Sequence, residues 1–203
     1  FSVDGYLGYL DDEDANTADD AVSAGYSFQI DLNTSFTGED SLDISIDGGN
    51  ASGAGYAEFD GNSTADKLMV DGVSYTFPVG GATMIVGDNT DGSALFTTAC
   101  VYGGPSNTLD DCGNVNAGIT NGGAMVGASY DFGSGFTAAF GYAGDEDGLL
   151  TDENLDAYGF NGAYTGDNYG ISITYGTVDT SNAHEDTFTC LLYTSDAADD
   201  TSG

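Results

Sequence analysis

Three acidic clusters are the residues of this sequence that could do chemistry, because their oxygen atoms are spaced as ligands for a cation. Ca²⁺ takes about six to eight oxygen ligands, and loops rich in Asp, Asn and Gly wrap it. None of the clusters matches an EF-hand loop, so a set of solvated, mutually repelling loops stands as the alternative to a metal site. The candidate ligands are Asp11, Asp12, Asp14, Asp88, Asp91, Asp145, Asp147 and Asp152.

The charge balance of the chain is extreme. There are 34 acidic residues against one basic residue, Lys67, and the formal net charge is −33 over 203 residues. Nucleic acid is excluded as a partner because phosphates are bound by Lys and Arg. The carboxylates also lack basic partners, so we expect them to be solvated, hydrogen-bonded to backbone N–H groups, or neutralised by metal ions.

The sequence provides no catalytic machinery that we can identify. His184 is the sole imidazole and lies beside Glu185 and Asp186. One histidine cannot supply a Ser-His-Asp triad together with a zinc site, and nothing marks a catalytic pair among the many carboxylates. We therefore expect no enzymatic activity and no required cofactor, with Ca²⁺ as the candidate ion.

The cysteines indicate a compartment. Cys100 and Cys112 bracket a segment of Gly, Pro, Ser, Asn and Asp, and a disulfide closing it would contribute about 3 kcal/mol in the entropic model. Such a bridge implies an oxidising, extracytoplasmic location. Two unrelated free thiols are the alternative. Cys190 is left over and is either a free thiol or an intermolecular bridge.

Apolar and polar residues alternate through much of the chain, which predicts β-strands with one apolar face. No segment predicts a helix, so the fold class is all-β, an up-and-down antiparallel meander or barrel. The alternating segments are 26–32, 42–46, 73–77, 82–87, 126–132, 136–142, 158–164 and 169–175.

The segments between the predicted strands differ at the two ends of the sheet. Tight turns such as 133–135 lie at one end, and long acidic loops such as 144–154 lie at the other. With strands of about ten residues, this arrangement is typical of a porin-type outer-membrane barrel, although a soluble meander or sandwich shares it. We expect one barrel-like domain over 1–189. The alternation breaks at Cys190, so 190–203 is predicted to be an irregular tail, either genuine or an artefact of the sequence end.

Two motifs are specific enough to carry a resemblance to a known family. The stretch 31–42, DLNTSFTGEDSL, followed by Gly49 and Asn50, resembles LNTSFTGKDLLRTRLQAGN of cyanobacterial outer-membrane porins. Residues 66–68 and 73–80, DKL and VSYTFPVG, are similar to the LDKLYYRFPVG strand of that family. The similarity extends over about residues 1–180. The family also carries an N-terminal surface-layer-homology segment that is not in this sequence.

The resemblance implies a β-barrel for passive diffusion in the outer membrane. Most Arg and Lys positions of the family's motifs are Asp, Ser or Thr here, so a pore would favour cations. A protein of a different class is the competing hypothesis: a secreted or surface-displayed structural protein that forms filaments by pairing strand edges, with Ca²⁺ neutralising its acidic loops. Both hypotheses predict a homo-oligomer or homopolymer at the outer membrane or the extracellular surface.

Overall fold

The alternating segments form the strands of one antiparallel sheet. The computed structural model describes residues 1–10, 21–51, 64–99, 123–151, 154–180 and 183–194. Side chains that alternate in polarity match the two-residue period of a strand, and Val, Ile, Tyr and Phe supply its apolar positions. The strands are β1 (Ser2–Leu10), β2 (Ala21–Thr34), β3 (Ser41–Gly49), β4 (Met69–Val79), β5 (Ala82–Asp88), β6 (Ala124–Gly133), β7 (Phe136–Gly144), β8 (Asp156–Thr165), β9 (Tyr169–Thr180) and β10 (Ala183–Thr194).

The sheet has the simplest possible order. Its ten strands follow one another from β1 to β10, and each neighbouring pair is antiparallel. The predicted all-β, up-and-down architecture is therefore confirmed. Within the described part of the chain, β1 and β10 are the two edges of the sheet and do not pair with each other.

The connections differ in length at the two ends of the sheet, as predicted. One end, the turn end, carries the segments 35–40, 80–81, 134–135 and 166–168. The other, the loop end, carries 11–20, 50–68, 89–123 and 145–155, but also the two-residue segment 181–182 between β9 and β10. The β6–β7 turn is tight because Gly133, Ser134 and Gly135 all have positive φ, between 55° and 85°, a conformation that glycine adopts without steric cost.

The two faces of the sheet differ in chemistry. One face, called the outer face, carries an aliphatic or aromatic residue from every strand, and the opposite face is called the inner face. The outer-face residues include Leu7, Ile30, Ile44, Phe77, Val86, Tyr130, Phe140, Phe160, Ile173 and Phe188. The inner face carries polar and small residues from the same strands. The pairing register keeps these sets apart because residues directly opposite each other point to the same side, as with Phe140 and Phe160.

Small residues dominate the buried positions of the chain. The described core is one cluster on the inner face, made by Ile85, Met125 and Ala143 with Leu95 packed against it. Leu95 belongs to a segment that follows β5 and folds back over the inner face. Residues 91–99 of that segment are called the strap below.

The last strand passes the position from which an irregular tail was predicted. That position is Cys190, and β10 extends to Thr194. Phe188, Cys190 and Leu192 continue the alternation opposite Tyr175, Ile173 and Ile171; residues 195–203 lie outside the described ranges.

No helix of the described residues has the length and hydropathy that a membrane span would need.

Candidate functional site: the inner face of the sheet

Four carboxylates lie on the inner face of the first three strands. They form the acidic patch: Asp4 of β1, Asp31 of β2, and Asp43 and Asp47 of β3. The register places Asp31 opposite Ser45, Asn33 opposite Asp43, and Gln29 opposite Asp47. Asp4 and Asp31 are exposed. The patch therefore places negative charge on the inner face of β1–β3.

Neutral hydrogen-bond donors orient the carboxylates of the patch. Gln29 Nε2 donates to Asp31 Oδ1 at 2.6 Å, and Ser45 Oγ donates to the same oxygen at 2.8 Å. Along β3 itself, Ser41 Oγ donates to Asp43 Oδ2 at 2.6 Å. These donors fix the geometry of Asp31 and Asp43 and are themselves neutral, so the carboxylates keep a negative charge that attracts cations.

The strap covers the other half of the inner face. Asn161 of β8 holds it with both ends of its amide: Thr97 N donates to Asn161 Oδ1 at 3.0 Å, and Asn161 Nδ2 donates to Thr97 O at 3.1 Å. The same Nδ2 donates to Thr174 Oγ1 at 2.9 Å. Asn161 is only 5% exposed. Its side chain thus pairs with the strap as the backbone of a neighbouring strand would.

Further contacts extend the attachment of the strap across three strands. Ala99 N donates to Ser172 Oγ of β9 at 2.9 Å, and the Thr97 and Thr137 hydroxyls lie 3.0 Å apart. A glycine permits the close crossing, because a Cβ at Gly141 of β7 would collide with the carbonyl of Gly92. Together with Leu95 on the core cluster of β5–β7, these contacts seat the strap across β5–β9, away from the acidic patch.

The outer face exposes large apolar side chains. Phe132, Phe188 and Leu192 are 66%, 69% and 65% exposed, whereas the buried hydrophobic residues are mostly alanines. A water-soluble domain places its large apolar residues inside, and a contiguous exposed apolar surface marks contact with a membrane or another protein. The outer face is thus suited to an apolar environment.

Aromatic residues concentrate on the outer face near the turn end. Phe36, Phe77, Tyr130, Phe132, Phe136, Tyr164 and Tyr169 form what we call the turn-side girdle. Its rings contact one another, with centroid distances of 4.7 Å for Phe136 and Tyr164 and 5.3 Å for Tyr164 and Tyr169. Tyr and Trp prefer the boundary between an apolar phase and water.

Tyrosine hydroxyls donate hydrogen bonds to several carboxylates. The donor–acceptor pairs are Tyr26 to Asp66 at 2.8 Å, Tyr75 to Asp40 at 2.6 Å, Tyr142 to Asp156 at 2.5 Å, and Tyr175 to Asp186 at 2.9 Å. An O–H bound to a carboxylate makes a strong, charge-assisted hydrogen bond. These phenols therefore replace the missing ammonium and guanidinium groups.

Asp40 closes the turn between β2 and β3. Its Oδ1 accepts hydrogen bonds from Ser35 Oγ at 2.6 Å and from Thr37 N at 2.8 Å, while Tyr75 donates to Oδ2. The Ser35 hydroxyl, followed by the Tyr75 hydroxyl and Thr37, holds the pKa of Asp40 well below its usual range. The stabilisation is therefore present above the ordinary Asp pKa of about 3.9 and is lost as pH falls towards the folded-state value.

Asp40→Asn should lower the melting temperature at pH 7, because an amide cannot accept all of these hydrogen bonds. The difference from the unmodified protein should shrink as the pH is lowered below about 4, where the wild-type carboxylate loses its advantage. Thermal melts followed by circular dichroism at pH 7 and pH 3 measure both effects. Glu39→Gln removes the same charge from the neighbouring exposed residue and should have little effect; equal melting of the two variants would contradict the role of Asp40.

The structure brings two of the predicted acidic clusters together. Glu146 is hydrogen-bonded to Asp88, and this contact, with the negative charges of Asp88, Asp147 and Asp145, raises the pKa of Glu146. Asp145 and Asp147 are exposed in the β7–β8 connection. Asp91 Oδ1 instead accepts from Ser93 N at 2.8 Å, closing a turn in the strap.

The metal site stays a prediction. Within the described ranges, no group of three or more His, Cys, Asp or Glu side chains converges as a ligand set. Four of the candidate ligands, Asp11, Asp12, Asp14 and Asp152, lie outside those ranges, as do Cys100 and Cys112 of the predicted disulfide. Cys190 is a free, exposed thiol on the outer face of β10.

The residues that define the inner face were not among the candidates from the sequence. Asp31 and Asp43 each stand between two apolar residues in an alternating run, and that position is a signal that places them on the polar face. No comparable signal in the sequence identifies Asn161, because Asn is common in this chain and the partner Thr97 is 64 residues away.

Comparisons with known proteins gave one structural likeness to report. The chain resembles a mutant form of the Rh. blastica porin with a TM-score of 0.46 and 15% sequence identity, over 87% of this chain. The chain spans 63% of the length of that porin. No model of a protein family matches the sequence, and no curated protein matches it.

Proposed function

We propose that the chain is a porin-type outer-membrane β-barrel protein that passes cations and small neutral solutes by passive diffusion. The observation that carries the proposal is the two-faced sheet, whose large apolar residues are exposed on one side while carboxylates, amides and hydroxyls line the other. A transmembrane barrel has this arrangement, with lipid outside and water inside. We expect it to act as a homo-oligomer.

The lengths of the strands support a membrane span. β6 to β9 contain between 9 and 12 residues, and a transmembrane strand tilted by about 45° needs about 9–11. A strand of ten residues extends about 33 Å, so a tilt of about 40° gives an apolar band near 25 Å tall. The turn-side girdle would then lie at one membrane–water interface.

The inner face would determine which solutes pass. The strap occupies the part of the face formed by β5–β9, and the acidic patch leaves exposed carboxylates on the part formed by β1–β3. Cations are attracted along a path lined by carboxylates and anions are repelled. The strap narrows that path, so passage is limited to small solutes.

The purified protein should form ion channels in a planar lipid bilayer. Because the acidic patch is negatively charged and the chain has only one basic residue, the steps should be cation-selective, with a reversal potential that shifts towards the cation value in a KCl gradient. The cation selectivity should be higher at 0.1 M than at 1 M salt, because the screening length falls from about 10 Å to about 3 Å between these concentrations. Heat-denatured protein in the same detergent is the control, and an absence of steps from folded protein would overturn the proposal.

A filament-forming structural protein is the second candidate, favoured by one observation. Each of the edge strands β1 and β10 pairs on one side only within the described residues, and a free edge is a template for another chain. Ca²⁺ bound by the acidic loops would then reduce repulsion between copies. Electron micrographs of detergent-free protein separate the two functions, because filaments that dissolve in chelator would favour the structural protein over the porin.

A further inference from the structure

A groove interrupts the outer face just on the loop side of the turn-side girdle. Gly162 of β8 forms its floor, opposite Ala138 of β7 and Ile173 of β9. Phe160 and Tyr175 bound it towards the loop end, and Phe136, Tyr164 and Ile171 bound it towards the turn end. Its volume is about 540 Å³, within the range of about 300–1,000 Å³ that small-molecule sites occupy.

The lining of the groove defines the chemistry of its occupant. No charged side chain lines it, although the chain carries 34 acidic residues. Its walls are apolar and open to the surroundings: Phe136 is 54% exposed, Phe160 53% and Ile173 44%. An uncharged apolar groove on an otherwise acidic protein matches an uncharged apolar ligand and disfavours a second acidic chain, which would bring its own negative charge.

The position of the groove narrows the choice further. Tyr164 is hydrogen-bonded to Tyr169, and both belong to the turn-side girdle, where tyrosines sit at the level of lipid headgroups. The groove opens immediately on the loop side of these two rings and is continuous with the apolar outer face. A lipid whose headgroup meets the girdle would therefore place the first part of its hydrocarbon chain over Gly162.

We infer that this groove is a binding site for one acyl chain of a membrane lipid, retained more tightly than the lipid that covers the rest of the outer face. The inference rests on the proposed function, since it requires the outer face to lie in a bilayer. The bound chain packs between Phe160 and Phe136 over the bare backbone of Gly162, which no side chain of the protein covers.

The groove can be filled by a single substitution that the backbone tolerates. A Cβ at Gly162 would meet nothing within 4 Å, so Gly162→Leu adds a side chain in the groove whose first carbon collides with no neighbour. Gly5 of β1 lies on the same outer face, opposite Tyr26, and also has nothing within 4 Å. Gly5→Leu is therefore a matched control. Gly162→Ala, with one added carbon, should have an intermediate effect and is a second variant if Gly162→Leu folds poorly.

Native mass spectrometry of protein reconstituted with phosphatidylcholine and then transferred to detergent tests the inference. The unmodified protein and Gly5→Leu should retain one lipid, and Gly162→Leu should retain it roughly tenfold less, because each excluded methylene weakens the binding. Equal retention by all three proteins would overturn the inference, as would a retained second copy of the chain that Gly162→Leu removes. Conductance measured on the same preparations separates this outcome from failure of the porin proposal, because a channel that conducts without retaining lipid leaves that proposal standing.

Discussion

Asn161→Leu should release the strap and enlarge the channel. The substitution removes both amide partners of Thr97 N and Thr97 O, and a buried polar group without a partner costs about 1–3 kcal/mol. A total of about 3 kcal/mol would raise the ratio of detached to seated strap roughly a hundredfold. We expect a larger single-channel conductance and passage of larger polyethylene glycols than in the unmodified protein.

The control for this prediction is the same Asn-to-Leu substitution at a position away from the strap. Asn168→Leu replaces an exposed asparagine in the turn after β8 and should leave both conductance and size limit unchanged. Circular dichroism should show the same β-content for both variants. If folded Asn161→Leu protein has the conductance and size limit of the unmodified protein, the strap does not limit passage.

Local pattern was sufficient to predict the eight strands β2 to β9. The alternation in 126–132 and 136–142 needs only neighbouring residues, and the Gly-Ser-Gly turn between them specifies the hairpin, so β6 and β7 form where expected. Each further strand adds to its predecessor, so the topology follows from the order of the hairpins. The strand β10 was not predicted because its alternation, Phe188–Cys190–Leu192, is short and lies next to an acidic segment.

The strap could not be predicted because its contacts join distant parts of the chain. Thr97 meets Asn161 across 64 residues and Ala99 meets Ser172 across 73. Seating the strap also depends on glycines, such as Gly141, whose role appears only when a second segment crosses them. Periodicity identifies which face of a strand is polar, but it does not show which segment lies on that face.

The hydrogen-bond partners of the carboxylates were predicted only in part. Backbone N–H groups do satisfy some of them, as at Asp40 and Asp91. Phenol hydroxyls, as in the pair Tyr142 and Asp156, satisfy others, and this solution was not considered. It is physically reasonable because a tyrosine combines an apolar ring for the outer face with a donor at its tip. The high tyrosine content and the low content of basic residues are thus two parts of one arrangement.

The double variant Asp31→Asn, Asp43→Asn should lose much of its preference for cations. Both residues are polar-face carboxylates held by neutral donors, so Asn preserves the shape and removes the charge. A carboxylate about 10 Å from a permeating ion attracts a cation by about 0.4 kcal/mol in water and repels an anion equally. Removing two charges should therefore lower the ratio of cation to anion permeability roughly tenfold.

The measurement and its control follow from the position of the two residues. Reversal potentials in a KCl gradient at low ionic strength report the permeability ratio, and polyethylene glycol exclusion reports the width of the channel. The width should not change, because the strap lies on β5–β9 and both residues lie on β2 and β3. Glu39→Gln with Asp71→Asn removes two charges outside the acidic patch and should leave selectivity intact. If that control lowers the permeability ratio as much as the double variant does, selectivity reflects the net charge of −33 and not the acidic patch.

Asn161→Leu should change the width of the channel with little change in its selectivity. The two sets of variants would therefore show that the two halves of the inner face control different properties of the channel.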